Sequence, residues 1–462
     1  MNDKALQSSE YRPSASLGRL SLLAVLAIAA LYYIRYNSLR SWMVKAPITW
    51  DQSDYYAYLP TFLIYGDADL AIVKQDKELY GERFKHFISA KGKPVFRMTM
   101  GVALMNVPFF LAGHTWALNS DFPADGYSPP YYKMMWLSGI VYSLLGLLLL
   151  RKLLLQHFND RVVALTLITV GAATNLMNYA TYDALMSHAI SFFLALLFMH
   201  FTVAFHKKES VLNMLALGLV WGMITLIRPT NCLILFFFVL YDVQSFSALA
   251  GKVKRLLGSP RFLLLFGVLA LLVFLPQLLY WHRQTGNWLF YSYGEKGSFF
   301  FLRPRIADGL FSYRKGWLLY TPVMILALTG IPLLYKKYKQ FFASVAVTFI
   351  LAVYVMFSFW CWWYGGSFGC RPIIEYYGLL AIPMAAVFAA VSSKKILQSM
   401  LVLFVAGCIW LNIKQQKLYR DGLIHWDSMS EEFYWDVMLG RSLDTSKLDV
   451  PDYEQGALTG EE

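Results

Sequence analysis

The sequence predicts an all-α polytopic membrane protein: a bundle of about eleven transmembrane helices, with in-plane helices in a long first outer loop. Three observations carry this. The chain is 57% hydrophobic and only 15% charged, where a soluble protein carries roughly 25% charge. Its apolar residues come in runs of roughly 17–22, enough to cross a ~30 Å hydrocarbon core, and the runs are continuous, which excludes a β-barrel. Its Lys and Arg residues concentrate in short loops between the runs, the bias that sets membrane topology.

In chain order, residues 1–18 are a polar cytoplasmic tail with Lys4 and Arg12. The apolar run 20–34 follows Arg19. Ala27-Ile28-Ala29 loosely resembles a signal-peptide cleavage site, but the long polar leader and the aromatic exit (Tyr32, Tyr33, Tyr36) favour a retained anchor. Residues 36–98 are too charged to span. Thr99–Leu118 has the length of a span but carries Asn106, Pro108, Gly113 and His114. If it crosses, Arg151, Lys152 and Arg161 fall outside, and every later basic loop inverts with them. If it lies in the interface, those residues, His206–Lys208, Lys252–Arg261, Lys336–Lys339 and Lys394/Lys395 are all cytoplasmic, and this solution is adopted.

The spans are then 20–34, 131–150, 162–180, 188–205, 211–228, 230–243, 262–281, 316–335, 341–360, 374–391 and 396–413, so that 19–413 forms the transmembrane domain. Outside lie the first loop 36–130, a turn at 181–187, the loops 282–315 and 361–373, and the segment 414–462. That last segment, aromatic and then acidic, is expected to be a small cap with a frayed end. No internal repeat is evident. The net charge of +12 is read as topology plus affinity for anionic lipid or a lipid phosphate, not for nucleic acid. Cys361 and Cys370 lie near one membrane face, and free thiols are expected.

The chemistry is expected outside. Trp50–Asp69 places Asp51, Asp54, Asp67 and Asp69 among tyrosines beside the membrane. Asp51 and Asp54 are three apart, on one side of a helical turn. A carboxylate there can take a proton from an acceptor hydroxyl or hold a divalent metal such as Mg or Mn. Asp67-Ala68-Asp69 is the DxD pattern of metal–phosphate sites, a weak signal without a nucleotide-binding domain. Arg303, Arg305, Arg314, Lys315 and Arg371 supply cations for a phosphate leaving group. The aromatic loop from Tyr280 through Asn287 and Glu295 suits a glycan, although an interfacial belt has the same composition. No span carries the mid-depth carboxylate expected of an ion-coupled transporter.

These residues resemble the GT-C superfamily of membrane glycosyltransferases, in the branch of bacterial aminoarabinose transferases and protein O-mannosyltransferases. The resemblance rests on four features. Trp50-Asp51 precedes Tyr55-Tyr56-Ala57-Tyr58-Leu59-Pro60. Lys93-Pro94 leads into Gly101–His114. A span exits through Arg228-Pro229-Thr230-Asn231. Trp362-Trp363-Tyr364-Gly365-Gly366-Ser367-Phe368-Gly369-Cys370-Arg371 precedes a helix containing Pro383. The stretch Ala173-Thr174-Asn175-Leu176 to Ser187-His188 is also similar to bacterial members.

The resemblance implies a GT-C-like bundle with a polyprenyl-phosphate-linked sugar as donor. It implies a catalytic acid early in the first outer loop, Asp51 or Asp54. Relatives carry Asp-Glu at a different distance from the tyrosines, and their Lys-Pro-Pro-Leu is here only Lys-Pro. The expected roles are therefore Asp51 or Asp54 as base (or metal ligands, if a metal binds), Lys93, Arg97, Arg303, Arg305 and Arg371 for the donor phosphate, and Tyr55, Tyr56, His114, His188, Asn231 and Glu295 for sugar or acceptor. The expected location is a bacterial inner membrane, N-terminus cytoplasmic and C-terminus periplasmic. Rival readings are a glycan polymerase or ligase, a flippase for a lipid-linked sugar, and a non-catalytic membrane subunit.

Overall fold

The computed structural model describes residues 18–43, 47–71, 75, 84 and 86–460, without the side chains of Glu295 and Lys296. Among the described residues, eight helices are long and apolar enough to cross a membrane: Arg19–Met43, Gly101–Leu118, Pro129–Leu154, His188–Lys207, Pro260–Thr285, Lys339–Phe357, Arg371–Val391 and Lys395–Arg420. Seven coincide with predicted spans. The chain is a multi-pass helical membrane protein, with a single two-stranded ribbon, Phe87–Ile88 on Pro94–Val95, among the described residues.

Four predicted spans fold as shorter or interrupted helices, each for a local reason. The run 162–180 divides into Asp160–Ala172 and Leu176–Thr181. At the break, Asn412 Nδ2 donates to the carbonyls of Ala172 (2.8 Å) and Thr174 (2.9 Å), which restores partners to backbone groups freed from the helix. The pair 211–228 and 230–243 becomes Val211–Ile227, a 3₁₀ turn Pro229–Ile234 and the short helix Leu235–Leu240. Pro229 forces Arg228 out of the helical basin into extended backbone. The run 316–335 is broken at Pro322, before Ile325–Lys337.

Small residues let the helices approach closely. A Cβ on Gly222 would lie 2.9 Å from Ala270 Cα, so Val211–Ile227 and Pro260–Thr285 meet backbone to backbone. The segment expected in the interface is one continuous helix, Gly101–Leu118, including Pro108. Its Gly101 end rests on the backbone of Ile227, where the helix 211–227 ends. Its Gly113 rests on Tyr131, where the helix 129–154 begins.

One end of the bundle collects the basic loops. Asp160 accepts the Leu20 and Ser21 amides (2.8 and 3.0 Å) at the start of the first helix, where a carboxylate complements the helix dipole. Lys207 Nζ reaches Gln156 (2.8 Å), the Asp242 amide reaches the Gln340 carbonyl (2.8 Å), and Arg255 pairs with Glu209 (2.7 Å).

The C-terminal segment is folded, contrary to the frayed end expected. Helices Glu431–Leu439 and Tyr453–Thr459 follow the long helix Lys395–Arg420. Ile424, Met429, Phe433, Tyr434 and Val437 form an apolar cluster with Tyr320 and Phe368. Arg314, itself buried, holds the segment through Asp449 (Nη2–Oδ2 2.7 Å).

Candidate functional site

A cavity of about 860 Å³ opens at the end of the bundle opposite the basic loops, and all five predicted outer segments line it. The first loop gives Thr49–Gln52 and Arg97, the turn gives Asp183 and Met186, and the loop 282–315 gives Ser292 and Tyr293. The loop 361–373 gives Tyr364–Ser367 and Arg371, and the C-terminal segment gives Trp426 and Tyr453. Residues scattered over 400 positions of sequence thus share one chamber.

Asp51 opens the short helix Asp51–Tyr56, preceded by Trp50 at φ 50°, a basin that costs a bulky residue strain. Its Oδ2 lies 2.9 Å from Arg371 Nη2, which also donates to the Tyr364 carbonyl at 2.7 Å. Arg371 is 11% exposed and Asp51 32%. The guanidinium is not fully used: Nε has no partner and Nη1 faces only the Met186 sulfur, at 3.9 Å. Arg97, exposed on the cavity wall, makes no hydrogen bond or ion pair among the described residues. The chamber therefore offers two carboxylates, Asp51 and Asp183, one oriented guanidinium with donors to spare, and Arg97, unpaired among the described residues.

The loop carrying Arg371 is held by the interrupted helix beneath it. Asn175 Nδ2 donates to the Cys370 carbonyl (3.4 Å), and Asn175 Oδ1 accepts from Tyr377 Oη (2.6 Å). Tyr179 Oη accepts the Phe368 amide at 3.1 Å. Gly369, at φ 58° with Tyr320 Cβ 3.0 Å from where its own Cβ would be, fits no larger residue without strain. Behind the loop, Glu375 Oε1 accepts from His188 Nδ1 (3.0 Å) and Arg228 Nη1 (3.2 Å), all deep in the bundle.

Of the residues expected from sequence, Asp51, Arg97 and Arg371 line the chamber, and the others whose side chains are described do not. Asp54, one turn on, does not line it, so the two acids of the motif part company. Lys93 pairs with Asp69 (3.3 Å), which also binds Arg283 (3.4 Å). The DxD pattern is thus an Asx turn, the Asp69 amide on Asp67 Oδ1, stapled by two cations. Arg305 pairs with Asp308 (3.6 Å), and neither it nor Arg303 reaches the cavity. Tyr55 and Tyr56 are buried, and Tyr56 donates to the Gly126 carbonyl. His114 binds Tyr131 (2.5 Å), His188 binds Glu375, and Asn231 donates to Ser191 Oγ (3.2 Å). These five pack the scaffold. The Glu295 side chain lies outside the described residues.

The donor set does not fit a divalent metal. Among the described residues no three His, Cys, Asp or Glu side chains converge, Asp51 is bound by a guanidinium, and Asp54 does not line the cavity. No chemical step below is routed through a metal.

Sequence reading gave Asp183 no role, and Lys315, expected among the cations for a phosphate, does not line the cavity. Asp183 lines the cavity with Oδ2 held by Asn178 Nδ2 (2.8 Å), and burial lifts its carboxyl to about 6 despite that bond and the positive charges of Arg371 and Lys315. Lys315 is buried, donates to the Ser367 carbonyl, and is pushed down to about 7 by desolvation, although Asp427 and Asp183 pull it upward. Burial, not spacing, marks both, so only their positions at span ends were visible in the sequence.

No family profile matches the sequence, and no curated protein does. Among solved structures, the Archaeoglobus fulgidus oligosaccharyltransferase in the apo form aligns with 95% of this chain and 58% of its own, at 12% identity and a TM-score of 0.49. The archaeal oligosaccharyltransferase AglB from the same organism, in complex with an inhibitory peptide and a dolichol-phosphate, aligns with 94% and 58%, at 12% identity and a TM-score of 0.48. The chain thus spans less than two thirds of the length of the structures it matches.

Proposed function

We propose that this protein is a membrane glycosyltransferase of the GT-C type that moves a sugar from a polyprenyl-phosphate donor to an acceptor hydroxyl at the periplasmic face of a bacterial inner membrane. The observation that carries the reading is the chamber in which Asp51 is held by Arg371 and whose wall also carries Arg97, unpaired among the described residues. Proton acceptor and anion clamp are what displacement of a phosphate from a sugar requires.

In this reading Arg371 fixes the Asp51 carboxylate through Oδ2 and leaves Oδ1 to receive the proton of the acceptor hydroxyl. As that proton moves, the acceptor oxygen bonds to the anomeric carbon on the face opposite the phosphate. The carbon–oxygen bond to the phosphate breaks, and its electron pair leaves with the polyprenyl phosphate. One displacement inverts the anomeric centre. Arg97 and the spare donors of Arg371 neutralise the departing phosphate. The basic loops at the far end of the bundle support a cytoplasmic placement of that end and, with it, a chamber open to the periplasm.

The test is transfer of labelled sugar from polyprenyl-phosphate donors by the reconstituted protein into a membrane extract containing acceptors. Transfer that depends on Asp51 supports the reading. Lipid that is bound but never loses label, across a broad donor panel, defeats it.

A further inference from the structure

The C-terminal segment brings an aromatic wall to the chamber that the transfer chemistry above does not use. Trp426 lines the cavity and is 50% exposed, so part of its ring is open to the chamber. It is not loose. Its ring stacks on His425 (centroids 5.2 Å apart, planes 29°), and its carbonyl accepts the Ser367 amide at 3.1 Å. Gly366 keeps the space beside it open, since a Cβ there would stand 3.0 Å from Trp426 Cε3. Tyr453 and Trp360 continue the wall, edge to face at 6.1 Å. Tyr453 Oη donates to Asp427, the residue after Trp426, and Asp449, whose amide donates to the Ser428 carbonyl (2.9 Å), pairs with Arg314. Two distant parts of the tail are thus clamped into one rigid aromatic surface, facing a chamber that also holds Asp51, Gln52 and Asp183.

We propose that Trp426, flanked by Tyr453 and Trp360, is the stacking platform for a pyranose ring. The C–H face of a pyranose is apolar and presents partly positive hydrogens, which match the negative face of an indole, while its hydroxyls point sideways to polar groups. A ring held there is oriented before reaction. The inference rests on the glycosyl-transfer reading for which ring it is, that of the donor or that of a glycan acceptor, but not for the contact itself.

The experiment uses the full chain in nanodiscs and two readouts. Saturation-transfer NMR is recorded with the methyl glycosides of mannose, glucose, galactose and N-acetylglucosamine. At least one glycoside receives saturation on the protons of one ring face, Trp426→Ala abolishes it, and Trp426→Phe retains it. In transfer assays Trp426→Ala raises KM about tenfold, the scale of one lost aromatic contact, with kcat within about twofold. Whether the donor or the acceptor series shows that rise identifies the source of the ring. No saturation of any glycoside by the wild type, or equal saturation by Trp426→Ala, overturns the platform. Saturation that depends on Trp426 in a protein that moves no sugar upholds the platform and rejects the transferase reading. Robust transfer indifferent to Trp426→Ala does the reverse.

Discussion

Arg371 Nη2 lies 2.9 Å from Asp51 Oδ2, across 320 positions of sequence. The contact joins the first outer loop to the last one between spans, and of the two acids of the motif it is Asp51, not Asp54, that lines the chamber. Transfer by Asp51→Asn is therefore expected to fall at least about a hundredfold, the usual contribution of a positioned base. Asp54→Asn stays within severalfold of wild type. Initial rates with labelled polyprenyl-phosphate sugar decide it, and equal losses in both variants would remove the distinction.

The two arginines of the chamber are expected to fail in different ways. Arg371 is nearly buried and supports the Tyr364 carbonyl as well as Asp51. Arg371→Met should lower both Tm and kcat, since it strands a carboxylate and a carbonyl. Arg371→Lys should restore little, because an ammonium lacks the planar fork. Arg97 is exposed and holds nothing up, so Arg97→Ala should leave Tm unchanged and raise the KM for the lipid donor about tenfold, the loss of one charge-assisted contact. Paired melting and kinetic measurements separate the two.

These contrasts also mark what was legible in the sequence. The spans were legible because hydrophobic length is a local property, and their interruptions were not. The break at 173–175 depends on Asn412 from a helix more than 200 residues later. Asp51 and Arg371 stood out by their neighbours, but which acid meets which cation is a matter of tertiary structure. Lys93 found Asp69, and Arg305 found Asp308, the nearest acid on its own turn. Asp183 carried no motif at all. The tail read as frayed because its acids are conspicuous, whereas its anchor, Arg314, belongs to another loop.

Asn175 is expected to act as the peg of the Arg371 loop. Asn175→Ala removes a donor to the Cys370 carbonyl and the acceptor of the Tyr377 hydroxyl, at a cost of about 0.5–1.5 kcal/mol for each bond. The variant should lose stability and transfer together. Asn175→Ser, which keeps a hydroxyl but is too short to reach both groups, should fall between. Thermal unfolding by fluorescence in the same detergent provides the ranking.

Asp183 gives a pH dependence with a definite sign. Burial raises its folded carboxyl to about 6, above the ordinary value of 3.8. The native state therefore holds this proton more tightly than the unfolded chain does. Its contribution is fully present below about 3.8 and is lost as pH rises through about 6. Asp183→Asn keeps an oxygen to accept from Asn178 and never ionises. The Tm of Asp183→Asn minus that of wild type should accordingly grow between pH 4 and pH 7 and level off above. A difference that stays constant over that window would mean the carboxyl titrates normally and the chamber is wetter at this point than its packing implies.

The proposed periplasmic placement of the chamber rests on charge and is open to direct chemical test. The basic loops gather at one end of the bundle, while Leu302, 97% exposed, stands on the loop 282–315 that reaches the other. In a variant with Cys232, Cys361, Cys370 and Cys408 replaced, Leu302→Cys should react with an impermeant maleimide once the outer membrane is opened. Lys254→Cys, on the exposed face of helix Phe246–Leu257, should react only after the inner membrane is breached. The opposite pattern would place the chamber in the cytoplasm. A donor presented in the outer leaflet of the inner membrane would then be out of reach, and Asp51 would have to serve a substrate arriving from the other side.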